Sequence, residues 1–164
     1  MEKRWQIALG LVVLASLSIA YYLISPAFIV VEMNEALPST DSAGISISQP
    51  VLGSNATEMV VTNILAQGEF MPGDHDVAGK AILLESEGEK ILRFEDFDTI
   101  NGPDLLIYLS KDLTAKDFVN IGGIKATKGN VNYEVDSSID TSQYKNVLVW
   151  CRAFGVLFSY AELK

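Results

Sequence analysis

An uncharged stretch from Trp5 to Val31 is the feature that most limits how this chain can fold. Within it, the residues of Ile7–Ile24 are almost entirely apolar. Because a helix rises about 1.5 Å per residue, this run is long enough to cross a hydrocarbon core of about 30 Å. The sequence therefore predicts a single N-terminal transmembrane helix.

The charges on either side of this run indicate its direction in the membrane. Lys3 and Arg4 precede it, whereas Glu32 and Glu35 follow it. Cytoplasmic flanks carry the excess of lysine and arginine. We therefore expect a single-pass protein of the cell membrane with an extracytoplasmic C-terminal part.

A cleaved signal peptide is the alternative interpretation of the same segment. Small residues in Ser25–Ala27 offer a cleavage site. The apolar run, however, exceeds the 7–15 residues typical of a signal peptide and resumes in Phe28–Val31 after Pro26. The length favours an uncleaved anchor.

Composition then divides the chain into three predicted parts. The anchor occupies residues 1–31, a flexible extracytoplasmic linker rich in Ser, Thr and Pro occupies 32–58, and a β domain occupies 59–164. The formal net charge of the chain is −9. Because an acidic surface repels phosphate, nucleic acid is excluded as a partner, and the membrane is contacted through the helix.

Short apolar runs separated by turn residues fill the C-terminal part. This pattern is typical of an all-β fold, and it predicts an antiparallel β-sandwich or barrel of about eight short strands. The predicted strands are Val60–Gln67, Gly79–Glu85, Lys90–Phe97, Leu105–Ser110, Phe118–Ile124, Asn132–Val135, Val147–Ala153 and Val156–Leu163.

Several classes of redox and metal protein are excluded by residue counts. The chain has one histidine and one cysteine, so it has no Cys-x-x-Cys dithiol and lacks the two histidines of a blue-copper centre. It also has no glycine-rich phosphate loop of recognised spacing. The sequence by itself assigns no cofactor.

Cys151 is the first candidate site residue. Strand alternation places Val147, Val149, Cys151 and Ala153 on one small, aliphatic face, which favours a buried and inert thiol. Arg152 falls on the opposite face. Its guanidinium would favour a reactive thiolate only if a bulge brought it round to the sulfur.

His75 is the second candidate, in a glycine-lined loop between Asp74 and Asp76. The two carboxylates are placed to orient one ring nitrogen toward a metal or haem. A structural hydrogen-bonding role is the alternative for such a loop histidine.

Three carboxylates near a predicted turn form a candidate calcium site: Asp96, Asp98 and Asp104. The segment departs from the EF-hand loop, because Gly102 comes one position late and Ile107 replaces the bidentate glutamate. The alternative is a solvated turn.

Four segments in order carry a family resemblance. The segments are "GEFMPGDHDVAGKAILL", "ILRFEDFDTINGPDLLIYLS", "IGGIKATKGNVNYEV" and "VLVWCRAFGVLFSYAEL". On these segments, from about Ile64 to Leu163, the chain resembles the Skeletor-type electron-transfer domain, the DM-thirteen family. The resemblance implies a β-sandwich-like extracytoplasmic module, found in animals beside haem-binding DOMON domains, with a redox role for the cysteine that matches Cys151.

Two functions follow as hypotheses. In the first, the chain is a membrane-tethered redox module centred on Cys151, with His75 as proton carrier or metal ligand and a redox partner protein. A lone cysteine needs such a partner thiol, a bound cofactor or sulfenic acid chemistry. In the second, it is a non-catalytic adhesion module, or a protein- or glycan-binding β-sandwich, with calcium as a stabilising ion.

Overall fold

The computed structural model describes residues 2–25, 29–37, 62–86 and 88–164. Helix α1 spans Glu2–Ile24, as the apolar run predicts. Its segment Arg4–Ile24 has a mean hydropathy of 2.3 and is long enough to cross a membrane, although a signal sequence has the same properties.

After α1, the described residues form nine strands and one short 3₁₀ helix, Thr141–Gln143. Each of the eight predicted strands matches an observed strand, and the predicted all-β class is confirmed. Leu105–Ser110 has the predicted bounds, the other strands have shifted bounds, and Val60 and Val61 of the first prediction lie outside the described residues. The strands are β1 Glu32–Asn34, β2 Thr62–Pro72, β3 Val77–Ser86, β4 Glu89–Thr99, β5 Leu105–Ser110, β6 Phe118–Gly123, β7 Lys128–Val135, β8 Asn146–Cys151 and β9 Val156–Glu162.

The strands form one curled sheet in the order β1-β7-β4-β3-β2-β9-β8-β5-β6. Every pairing is antiparallel except β1 with β7. β2 joins the two halves of the sheet, since Thr62–Glu69 pairs with β3 and Phe70–Pro72 pairs with β9. The curl encloses the main core between the halves.

Aromatic rings fill the middle of this core. Phe70 packs against Phe94 at 4.8 Å and against Phe97 at 4.9 Å between ring centroids. Tyr133 lies 5.0 Å from Phe94 in the same way. All four side chains are buried. Since such rings bury large apolar areas and gain further from tilted contacts, they account for much of the stability of the curl.

Strand β1 lies within the segment that the sequence predicts as a flexible linker. Glu32–Asn34 pairs with β7 in parallel register, so the start of that segment belongs to the sheet. Gly129 of β7 permits this pairing: its φ is +103°, and a Cβ there would lie 2.2 Å from the Met33 carbonyl oxygen. Most of the remaining predicted linker lies outside the described residues.

A buried arginine ties the segment after β1 to the sheet. Arg93 Nη1 donates to the Glu35 carbonyl oxygen at 3.1 Å and to Asn132 Oδ1 at 2.8 Å. Arg93 Nε donates to Glu95 Oε1 at 2.8 Å. Because a buried charge is costly unless paired, this network fixes the segment after β1 in place.

Candidate functional site

Cys151 is the last residue of β8, and its side chain points into the core. Val147, Val149 and Cys151 are at most 1 % exposed, as strand alternation predicts. The Cys151 Sγ donates to the Pro103 carbonyl oxygen at 3.2 Å. The thiol is therefore removed from bulk water and held by a hydrogen bond to the β4–β5 loop.

The predicted strand through Ala153 was too long. β8 ends at Cys151, and residues 152–155 form a turn in which Ala153 is exposed. Gly155 has a φ of +67°, and its amide donates to the Cys151 carbonyl oxygen at 2.8 Å. The turn closes directly after the cysteine, so the alternation cannot continue to Ala153.

Arg152, in the same turn, binds the carboxylate of Asp104. Its Nε lies 2.7 Å from Asp104 Oδ2, and its Nη2 lies 3.0 Å from Asp104 Oδ1. The hydrogen bonds and charge of Asp104 raise the pKa of Arg152 above its usual value. The guanidinium is thus engaged with Asp104, and its side chain is 65 % exposed.

His75 lies in the loop between β2 and β3, which is held against β9. The amides of Gly73 and His75 each donate to the Phe158 carbonyl oxygen at 3.2 Å. A Cβ on Gly73 would lie 2.4 Å from the Leu157 carbonyl oxygen, so the close approach requires glycine. The His75 ring packs on the Phe158 ring with centroids 3.9 Å apart.

One pocket of about 480 Å³ brings His75 and Cys151 together, although they are far apart in sequence. Arg152 is not among the residues that line it. Its walls are mostly apolar, and they come from α1, the β2–β3, β4–β5 and β8–β9 loops, and β9. The lining residues are Ala20, Leu23, Ile24, His75, Ile100, Asn101, Gly102, Pro103, Cys151, Phe154, Val156 and Phe158.

Some polar side chains of this pocket already form hydrogen bonds within the protein, which limits what they offer to a ligand. Asn101 Nδ2 donates to the Ile29 carbonyl oxygen, and its Oδ1 accepts from the Gly102 amide. The Cys151 thiol donates to Pro103. The imidazole of His75 is therefore the main polar side chain that the pocket offers to a small molecule.

The three carboxylates of the predicted calcium site lie in different surroundings. Asp98 lies 3.4 Å from Lys128 Nζ, and Asp104 binds Arg152. Asp96 is exposed at a bulge of β4, with a φ of 49°. Across the part of the chain that the structure describes, no group of three or more His, Cys, Asp or Glu residues is arranged to hold a metal ion.

Sequence reasoning did not identify the walls of the pocket. The strand pattern predicts Phe158 in the last strand but gives no link to His75, and the apolar run predicts the end of α1 only as membrane anchor. The Gly102–Pro103 break after β4 was the available signal, because strand-ending loops often line sites. Which loops meet depends on how the sheet curls.

The family model described as electron transfer DM13 matches residues 69–163, more than half of the chain. No curated protein and no solved structure gave a match. The matched span includes His75, Cys151 and the loops that join them in one pocket. The chain therefore belongs to the DM13 electron-transfer family.

Proposed function

We propose that this chain is a membrane-tethered, extracytoplasmic redox module whose centre is the pocket shared by Cys151 and His75. Membership of an electron-transfer family supports a redox role. The observation that carries the assignment to this pocket is that it joins the only thiol and the only imidazole of the chain.

The burial of Cys151 limits the reactants that reach it. At 1 % exposure, the sulfur is closed to the surface of a large protein, whereas the pocket admits a small molecule. In exchange with a small disulfide, the Cys151 sulfur forms one S–S bond while the disulfide's own S–S bond breaks. The released small thiol takes the proton that Cys151 loses, and in this proposal His75, which lines the same pocket, carries it.

Size-graded alkylation tests access through the pocket. In the folded chain, we expect N-ethylmaleimide to modify Cys151 about tenfold more slowly than an exposed thiol, because the pocket restricts the approach. A polyethylene-glycol maleimide should not modify it. The exposed reference is Ser138→Cys in a Cys151→Ser background, which both reagents should modify.

Alkylation is followed by the mass of the intact chain. A Cys151 that resists both reagents until the domain unfolds would contradict the proposal, because the pocket would then give no route to the sulfur.

A non-catalytic binding module is the second candidate function, and the complete burial of Cys151 favours it. In that case the thiol only fills the core and bonds to Pro103. Cys151→Ala would then lower the free energy of unfolding and leave binding to a surface partner unchanged. Substitutions in the exposed Asp74–Asp76 loop would instead abolish that binding.

A further inference from the structure

The pocket that holds Cys151 and His75 is partly built by the membrane helix. Ala20, Leu23 and Ile24 from the last two turns of α1 form one wall. Ala20 and Ile24 also line a second, neighbouring cavity of about 650 Å³, whose other lining residues are Leu17, Tyr21, Ser25 and Ile29. Two apolar cavities therefore adjoin the same end of the helix.

The segment after the helix holds the domain close to the bilayer. The Thr127 amide donates to the Val31 carbonyl oxygen at 2.8 Å, and Asn101 Nδ2 donates to the Ile29 carbonyl oxygen at 3.2 Å. The chain thus reaches the sheet within seven residues of Ile24. With α1 in the membrane, the pocket lies at the bilayer surface.

Two exposed apolar side chains at the pocket fit this placement. Ile100 is 48 % exposed and Phe154 is 57 % exposed, and both line the pocket beside the end of α1. Large apolar side chains in such a position are stabilised by contact with lipid. With α1 in the membrane, both side chains therefore stand where they would contact lipid at the pocket.

The lining also indicates the chemical class of the ligand. Among the described residues that line the pocket there is neither lysine nor arginine, and the chain is acidic overall. Phosphate-bearing redox cofactors need positive charge or clustered amides, so they fit poorly. The volume suits a small ligand, and aromatic rings at Phe154 and Phe158 suit a flat one.

We infer that the pocket binds a lipid-soluble, ring-bearing molecule of the quinone class that enters from the bilayer, with His75 as the hydrogen-bonding partner of a ring oxygen. This inference rests on the proposed function, since it needs a redox module held at a membrane. It adds the ligand and the route by which the ligand arrives.

The single histidine of the chain provides a site-specific test. The full chain, carrying a histidine-free tag and ¹³C-labelled histidine, is placed in lipid nanodiscs and titrated with decylubiquinone. Its ring is fully substituted, so the thiol does not add to it. We expect the imidazole resonance of His75 to shift and to saturate.

Two variants make the result specific to the pocket. Phe154→Glu places a charge on an exposed residue of the lining and should weaken decylubiquinone binding by about tenfold or more. Ile64→Glu is the matched control, because Ile64 is 60 % exposed and does not line the pocket. It should leave the titration unchanged.

Three outcomes would overturn the inference. The first is an imidazole signal of His75 that does not respond to decylubiquinone. The second is a response to dodecane as large as the response to decylubiquinone, which would show an acyl-chain site. The third is a response to decylubiquinone in Phe154→Glu as large as in the unsubstituted chain. The titration is repeated in Cys151→Ser. If decylubiquinone still binds to Cys151→Ser, and Cys151 of the unsubstituted chain is redox-inert, only the proposed thiol chemistry is refuted. If Cys151 is redox-active but decylubiquinone does not bind, only the quinone site is refuted.

Discussion

The contacts of individual residues determine which side chains of the pocket can act on the Cys151 thiol. Arg152 binds Asp104, so its charge is not directed to the thiol, while His75 shares the cavity with Cys151. The thiol donates to the Pro103 carbonyl oxygen. The proposed redox chemistry therefore requires a reactant that enters the pocket, and we propose that His75 exchanges a proton with it.

Tyr133 gives a residue-scale prediction for alkaline pH. Burial raises its pKa to about 12, although the hydrogen bond from the Lys125 amide opposes the shift. Between the unfolded value of 10.0 and this value, the folded protein keeps a proton that the unfolded chain loses. The stability contributed by the neutral phenol is therefore complete below the unfolded pKa and declines by up to about 2–3 kcal/mol as the pH rises.

Tyr133→Phe removes this titration. At about pH 8 the variant should be less stable than the wild type by about 1 kcal/mol, because the Lys125 amide loses its acceptor. Toward pH 12 the difference should close or reverse. Urea unfolding across this range measures the gap, and a gap that is independent of pH would show that Tyr133 does not titrate as described.

At the scale of elements, β1 is the least expected part of the fold. The eight strands of the domain were predictable because each shows a run of apolar or alternating residues between turn signals. β1 has three residues and pairs with a strand 96 positions away, so nothing local to Glu32–Asn34 reveals it. Its position depends on Gly129 and on Arg93, which act across the sheet.

The candidate site was likewise predictable from local sequence only in part, because long-range contacts determine the rest. Alternation predicted the burial of Cys151, because Val147 and Val149 mark the inward face of β8. The end of β8 at Cys151 depends on the turn at Gly155, which removed Ala153 from that face. The proximity of His75 depends on hydrogen bonds from its loop to Phe158, a long-range contact that one sequence does not display.

Gly129→Ala tests the attachment of β1. A Cβ at this position meets the Met33 carbonyl oxygen at 2.2 Å, and the φ of +103° is unfavourable for alanine. We expect a loss of about 1–3 kcal/mol in the free energy of unfolding, with faster hydrogen exchange at the Thr127 and Lys128 amides, which donate to Val31.

Gly123→Ala is the matched control, because a Cβ there meets nothing within 4 Å and its φ is not positive. Its stability should remain within about 0.5 kcal/mol of the wild type. Equal exchange rates at Thr127 in the two variants would mean that β1 does not depend on Gly129.

At the scale of the whole molecule, the end of α1 and the loops of the sheet line one pocket, which we propose to lie near the membrane. Lys3 and Arg4 before the helix predict that the domain is extracytoplasmic. Ser138→Cys in a Cys151→Ser background provides an exposed thiol on that domain. In intact cells, a membrane-impermeant maleimide should label it, and labelling only after lysis would place the domain in the cytoplasm.

The central claim is that Cys151 is a redox centre reached through the pocket. The measurement that tests it most directly is the mass of the intact, membrane-held chain during equilibration with 2-hydroxyethyl disulfide and 2-mercaptoethanol, both small and neutral. In the folded protein, we expect a mixed disulfide to form on Cys151 and to reverse. Both steps should be slower in His75→Phe, which keeps a ring against Phe158. A Cys151 that remains a thiol at every ratio of the two reagents until the domain unfolds would contradict the central claim.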